Sequence, residues 1–155
     1  MMYKRLLIAL IFFISLPLLA SPTSLPLCDN NMEEVFACTL DNGKAVSLCK
    51  TGKNITYRYG TAENIELSYP AMNDKPLKSR LITNKEDLSL KQDIFFNRGK
   101  YHYVLSDTLE IVDLMSGETK ETYALDVDLK GKSIFSEVCK TVHTPFPDQF
   151  GSSFQ

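Results

Sequence analysis

From Val35 to Cys139 the chain is a succession of short segments in which apolar and polar residues alternate, separated by turns rich in glycine. Alternation with a period of two gives one apolar and one polar face only in an extended strand. Val35 to Leu40 and Lys44 to Cys49 flank Asp41-Asn42-Gly43, with Asn42-Gly43 read as a two-residue hairpin turn. Ile55, Tyr57 and Tyr59 alternate with Thr56 and Arg58. After a turn, Ile65, Leu67 and Tyr69 alternate with Glu66 and Ser68 until Pro70 ends the strand. Asp93 to Phe96 and Tyr101 to Leu105 flank Asn97-Arg98-Gly99-Lys100 as a further hairpin. Thr108 to Leu114, Thr119 to Asp128 and Ser133 to Cys139 follow, divided by Ser116-Gly117 and Lys130-Gly131-Lys132. Residues 71–88 are polar, contain Pro76, and read as a long connection with one edge strand at Leu81-Ile82-Thr83. Only Asn31 to Glu34 suggests a helical turn. The pattern predicts an all-β fold, a small antiparallel meander or barrel of about eight strands.

The first residues have a different character. Lys4 and Arg5 precede an apolar run of 14 residues, Leu6 to Leu19, broken only by Ser15 and Pro17. A membrane-spanning helix needs about 20 apolar residues, so the run fits the core of a signal peptide, with cleavage expected after Ala20. The predicted organisation is a signal peptide at 1–20, an N-terminal extension at 21–33, the β domain at 34–140 and a flexible tail at 141–155, where Pro145, Pro147 and Gly151 fall. The expected location is the periplasm or the exterior, with no stable membrane insertion after cleavage. The remaining 135 residues carry 15 basic and 19 acidic side chains, a formal charge of −4. No basic run or stripe is present, so nucleic acid is not an expected partner.

All four cysteines, Cys28, Cys38, Cys49 and Cys139, follow the expected cleavage point. An even count in an exported chain favours disulfides, and no C-x-x-C spacing points to zinc or redox chemistry. Three connectivities are possible. A two-residue turn at Asn42-Gly43 would put Cys38 opposite Ser47 and Phe36 opposite Cys49, leaving Cys38 and Cys49 diagonal on one face and badly placed for a bridge. Cys28–Cys49 with Cys38–Cys139 is the preferred pairing of those that remain.

The residues offer no catalytic constellation and no cofactor motif, so a non-enzymatic role without cofactor or metal is expected. His102 lies between Tyr101 and Tyr103 and should point away from both; His143 falls in the expected tail. Asp126 and Asp128 share a strand face, as a solvated pair would. Arg58, on the face opposite Tyr57 and Tyr59, is either an ion-pair partner across the hairpin near Glu66 or a planar donor offered to an acidic partner.

In order along the chain, Val35-Phe36-Ala37-Cys38, Asn42-Gly43-Lys44, Val46-Ser47-Leu48-Cys49, Tyr57-Arg58-Tyr59-Gly60, Ile65-Glu66-Leu67-Ser68-Tyr69-Pro70, Gly99-Lys100-Tyr101 and Cys139 resemble a group of small exported bacterial proteins of unknown function. That resemblance implies an envelope protein and no particular activity. Phe36-Ala37-Cys38 with Asn42-Gly43, then Ser116-Gly117 and Lys130-Gly131, are also similar to periplasmic and membrane-bound inhibitors of c-type lysozyme, which are small disulfide-containing antiparallel barrels. This second likeness implies that Ser116 and Lys130 enter the lysozyme cleft and contact its catalytic carboxylates. The chain departs from the inhibitors in lacking tryptophan, and its first aromatic after Ser116-Gly117 is Tyr123.

Two functional expectations follow. One is a binding or inhibitory module acting through a protein surface, with a cell-wall hydrolase as partner and Ser116, Lys130 and Arg58 as contact residues. The other is a barrel that holds a small apolar ligand among Tyr57, Tyr59, Tyr69, Phe95 and Tyr103; it requires an interior cavity of several hundred Å³.

Overall fold

A single antiparallel sheet takes up most of the described residues of the computed structural model, which are 27–70 and 74–147. Among those residues are nine strands: β1 (Glu33–Leu40), β2 (Ala45–Thr51), β3 (Asn54–Gly60), β4 (Ile65–Tyr69), β5 (Lys78–Asn84), β6 (Ser89–Arg98), β7 (Tyr101–Asp113), β8 (Glu118–Leu129) and β9 (Lys132–Thr144). Their order is β4-β3-β2-β1-β9-β8-β7-β6-β5. Two meanders, β1 to β4 and β5 to β9, are therefore joined where the first strand pairs with the last. The sheet is not a closed barrel: β4 and β5 are its two edges, although they are consecutive in sequence. Closure would need β4 to pair with β5, and the short β4 ends at Tyr69 before Pro70, which has no backbone N–H to offer a ladder.

Apolar periodicity of two selects the inward face. Phe36, Cys38 and Leu40 of β1, Val46 and Leu48 of β2, Ile55 and Tyr57 of β3, Ile94 and Phe96 of β6, and Tyr123 and Leu125 of β8 form one buried cluster. Across it Phe96 stacks on Tyr69 at 4.0 Å and on Tyr103 at 4.8 Å between ring centroids, and lies 5.0 Å from Tyr57. These rings bind the two meanders together, because aromatic pairs bury large areas and add specific ring contacts. The link before β5 contributes Leu77, also buried.

Several expectations need correction. Tyr101 to Leu105 and Thr108 to Leu114 are one strand, β7, because nothing between them turns the chain: Ser106 is buried and pairs with Asp93 and Ala124. The suggested helical turn is a β-turn, closed by the Met32 N–H on the Asp29 carbonyl at 2.9 Å, and β1 begins at Glu33. The expected tail at 141–155 is strand to Thr144, and Phe146 is buried against Phe36 (4.5 Å) and Tyr123 (5.7 Å). The expected signal peptide and residues 148–155 of the tail lie outside the described residues.

The first hairpin turn holds three residues rather than two. Leu40 and Lys44 close it, with the Leu40 N–H donating to the Lys44 carbonyl at 2.8 Å, and Gly43 adopts φ 79°, where glycine carries no Cβ penalty. One extra turn residue shifts the register: Cys38 stands opposite Val46 and Phe36 opposite Leu48. A one-residue slip moves side chains to the other face. Cys38 and Cys49 thus lie on opposite faces of the sheet, a firmer obstacle to pairing than a diagonal. The disulfides are Cys28–Cys49 and Cys38–Cys139.

Candidate binding surface

Arg58 is occupied within the chain. It projects from the outer face of β3, where it pairs with Ser47 and Ser68 across the neighbouring strands, and only 13% of its side chain is exposed. Its Nη1 donates to the Leu27 carbonyl at 2.6 Å and to Asp29 Oδ1 at 2.9 Å, and Nη2 donates to Asp29 Oδ2 at 2.7 Å. Asp29 is thereby held below the usual carboxylate range. Together with Cys28–Cys49, the guanidinium clasps residues 27–29 onto the outer face of β2 and β3. The expected partner Glu66 is instead bound by Lys44 Nζ at 2.8 Å. Arg58 is therefore a fastening for the N-terminal segment; its donors are not offered outward.

Ser116 and Lys130 do not meet. Ser116 lies in the β7–β8 turn, where its Oγ accepts from the Glu118 N–H at 3.3 Å and Asp113 Oδ1 accepts from the Met115 N–H at 2.7 Å. Lys130 lies in the β8–β9 turn at φ 52°. The twelve residues of β8 separate these turns, which at the rise of an extended chain is roughly 35–40 Å. One cleft in a partner cannot take both.

Lys130 has other company. The register places Arg98, Tyr101, Leu129 and Lys132 in one row across β6, β7, β8 and β9, with Lys100 and Lys130 in the turns just beyond. All four cations are exposed. Among the described residues none forms an ion pair. Lys100 Nζ sits 5.7 Å from the centre of the Tyr101 ring. Asp128, the acid nearest in the ladder, lies one row inward opposite His102 and Ser133.

Beside this basic row is a hollow of about 180 Å³ lined by Tyr57, Tyr59, Tyr101, Tyr103, Ile134, Phe135 and aliphatic neighbours, with no charged side chain in its wall. Burial raises the Tyr103 hydroxyl above the ordinary phenol value, and the Arg98 cation partly opposes the rise. The hollow thus has a neutral, apolar wall, with Arg98 and Lys100 beside its Tyr103 and Tyr101, and is large enough for one side chain.

The aromatic set expected to line a ligand cavity is divided differently. Tyr57, Tyr69 and Tyr103 pack on Phe96, and Tyr57, Tyr59 and Tyr103 also line the hollow of about 180 Å³, whereas Phe95 turns to the outer face under Arg80, whose guanidinium carbon is 5.1 Å from its ring, and beside His102. A hollow of about 370 Å³ does lie at the seam between β4 and β5, and the expected Tyr69 and Phe95 line it with Phe96, but Asp74, Lys75 and Lys78 also stand in its wall. An apolar ligand would desolvate those charges.

The remaining polar candidates have structural partners. His102 Nδ1 bonds Asn97 Oδ1 at 2.7 Å, His143 Nε2 bonds Thr39 Oγ1 at 2.8 Å from within β9, and Asp126 accepts from Ser136 Oγ at 2.6 Å. No group of three or more His, Cys, Asp or Glu side chains among the described residues is arranged to hold a metal ion. Sequence reasoning missed Arg98, Lys100 and Lys132 because they are turn-end cations some thirty residues apart; only the β7–β8 register gathers them. No protein-family model, curated protein or solved structure matches the chain.

Proposed function

We propose that the chain is an exported, non-catalytic binding protein of the bacterial envelope that docks onto an acidic protein partner, with a cell-wall hydrolase such as lysozyme as the specific candidate. The observation that carries this reading is a set of four cations without an ion pair among the described residues, Arg98, Lys100, Lys130 and Lys132, at the end of the sheet where tyrosines line an uncharged hollow. Protein interfaces concentrate their energy in tyrosine and arginine anchors seated in desolvated pockets. Cations at the rim steer an acidic partner and fix its orientation.

Glycoside hydrolases of the cell wall suit such a surface because most of them cleave with a pair of carboxyl groups in an open cleft. Lys130, at the tip of a hairpin, can enter such a cleft and charge-pair with those groups. The likeness to lysozyme inhibitors supports the role of Lys130; Ser116, at the far end of β8, has no part in this contact. Export is supported by the two disulfides, which are compatible with an oxidising compartment outside the cytoplasm. The hydrolase assignment is tested by titrating the mature protein into turnover assays of c-, g- and i-type lysozymes. Inhibition of one class at micromolar protein is expected, and no inhibition of any class removes the assignment.

A further inference from the structure

The opposite end of the long strands carries a different feature. Among the described residues β5 is an edge, bonded along its length only to β6. It is seven residues long and contains neither proline nor bulge, two of the devices that protect an edge from pairing, and its charged residues are Lys78 and Arg80. The other edge, β4, has five residues and stops at Pro70. The ladder also continues the inward face beyond the core: Leu81, Leu90, Leu109 and Ile111 lie on that face and are 65%, 40%, 38% and 40% exposed. β5 thus combines unpaired backbone donors and acceptors with an adjoining aliphatic strip.

We infer that this edge pairs antiparallel with β5 of a second copy of the chain, forming a two-fold dimer with a continuous sheet. The charge along the edge selects a second copy as the occupant. Lys78 stands at its beginning, Arg80 is already committed to Asp93 at 2.6 Å, and Glu86 and Asp87 follow its end. An antiparallel two-fold places the basic beginning of each edge beside the acidic end of the other. With Ile82 on the axis, Arg80 lies opposite Asn84 of the second copy and Lys78 comes next to the turn that carries its Glu86, so no like charges face each other within the strand pair. The same register keeps Leu81 opposite Thr83 on the inward side, and the aliphatic strips become continuous, as an odd shift would not allow. The closed two-fold uses both edges, whereas a head-to-tail contact would leave one open for further growth.

Sedimentation of the mature protein from low micromolar to submillimolar concentration tests the inference. A concentration-dependent dimer is expected. Leu81→Lys, at an exposed position, should weaken it roughly tenfold or more by setting like charges close to the two-fold, with unchanged far-UV circular dichroism. Lys78→Glu should weaken it, and Lys78→Glu with Glu86→Lys should restore it. A wild-type monomer throughout, a dimer indifferent to Leu81→Lys, or a double variant no better than Lys78→Glu would overturn the assignment. So would a wild-type chain that stays monomeric alone but takes up an extended apolar peptide on β5.

Discussion

Arg58 holds Asp29 through two parallel hydrogen bonds, Nη1 to Oδ1 at 2.9 Å and Nη2 to Oδ2 at 2.7 Å, while the same Nη1 reaches the Leu27 carbonyl at 2.6 Å. One residue between them, Cys28, is bonded to Cys49. A covalent and an ionic fastening therefore secure the same three residues on the outer face of β2 and β3. Arg58→Ala should lower stability by about 1–2 kcal/mol, chiefly through the charged bond to the Leu27 carbonyl. Arg58→Lys should restore only part, since an ammonium cannot reproduce the planar fork. Chemical denaturation of the three proteins checks this. Because Asp29 is depressed in the folded state, its contribution is present above the unfolded carboxylate value and lost as pH falls through the folded one.

Asp107 should act in the opposite sense. Burial, with Glu121 adding to it, raises its carboxyl to about 6, and Oδ1 is buried without a hydrogen-bond partner. A folded value above the unfolded one means that the native state binds the extra proton, so stability falls as pH rises from about 4 to about 6. Asp107→Asn should therefore be more stable than wild type by about 1–2 kcal/mol at neutral pH, after allowing for solvent screening. The difference should vanish below pH 4. Denaturation midpoints measured across that range decide the sign.

The two disulfides should contribute unequally. Cys38 and Cys139 are 101 residues apart, and Cys28 and Cys49 are 21 apart. Loop-closure entropy alone gives about 4.7 and about 3.3 kcal/mol. Replacing Cys38 and Cys139 together by serine should cost more than replacing the other pair, in matched unfolding curves. Equal losses would mean that the clasp at residues 27–29 matters as much as chain entropy.

Gly60 is required by geometry. It has φ 143°, and an added Cβ would collide with the Asn64 carbonyl oxygen and come within 2.8 Å of the Glu66 N–H nitrogen. Gly60→Ala should destabilise the β3–β4 hairpin by about 2–3 kcal/mol, since both backbone conformation and space oppose it. Thermal melts give the comparison.

The strands were readable because a period of two is a local property: Ile55, Tyr57 and Tyr59 against Thr56 and Arg58 can be sorted without knowing any neighbour. The pairing of Cys28 with Cys49 and Cys38 with Cys139 was also within reach, although the turn before β2 is one residue longer than Asn42-Gly43 alone suggests. What could not be read was non-local. Gly43 fits a two- or a three-residue turn, and only the closed ladder decides which face Cys38 takes. Phe95 and Phe96 are adjacent aromatics, so register alone assigns one to the core and the other to the surface. The cationic end escaped for the same reason, and Ser116 and Lys130 could be joined on paper because a turn dipeptide does not record which end of a strand it occupies.

Recognition at the Lys130 end, without Ser116, is the proposal on which the functional reading rests. Its most direct test is the affinity of the mature protein for the lysozyme class that it inhibits, measured by titration calorimetry for wild type, Lys130→Glu with Lys132→Glu, and Ser116→Ala. The double charge reversal should weaken binding by roughly two orders of magnitude, as loss and inversion of rim charges at an acidic site would, and Ser116→Ala should bind like wild type. Wild-type affinity in the charge-reversed protein, or a comparable loss in Ser116→Ala, would rule out recognition at the Lys130 end.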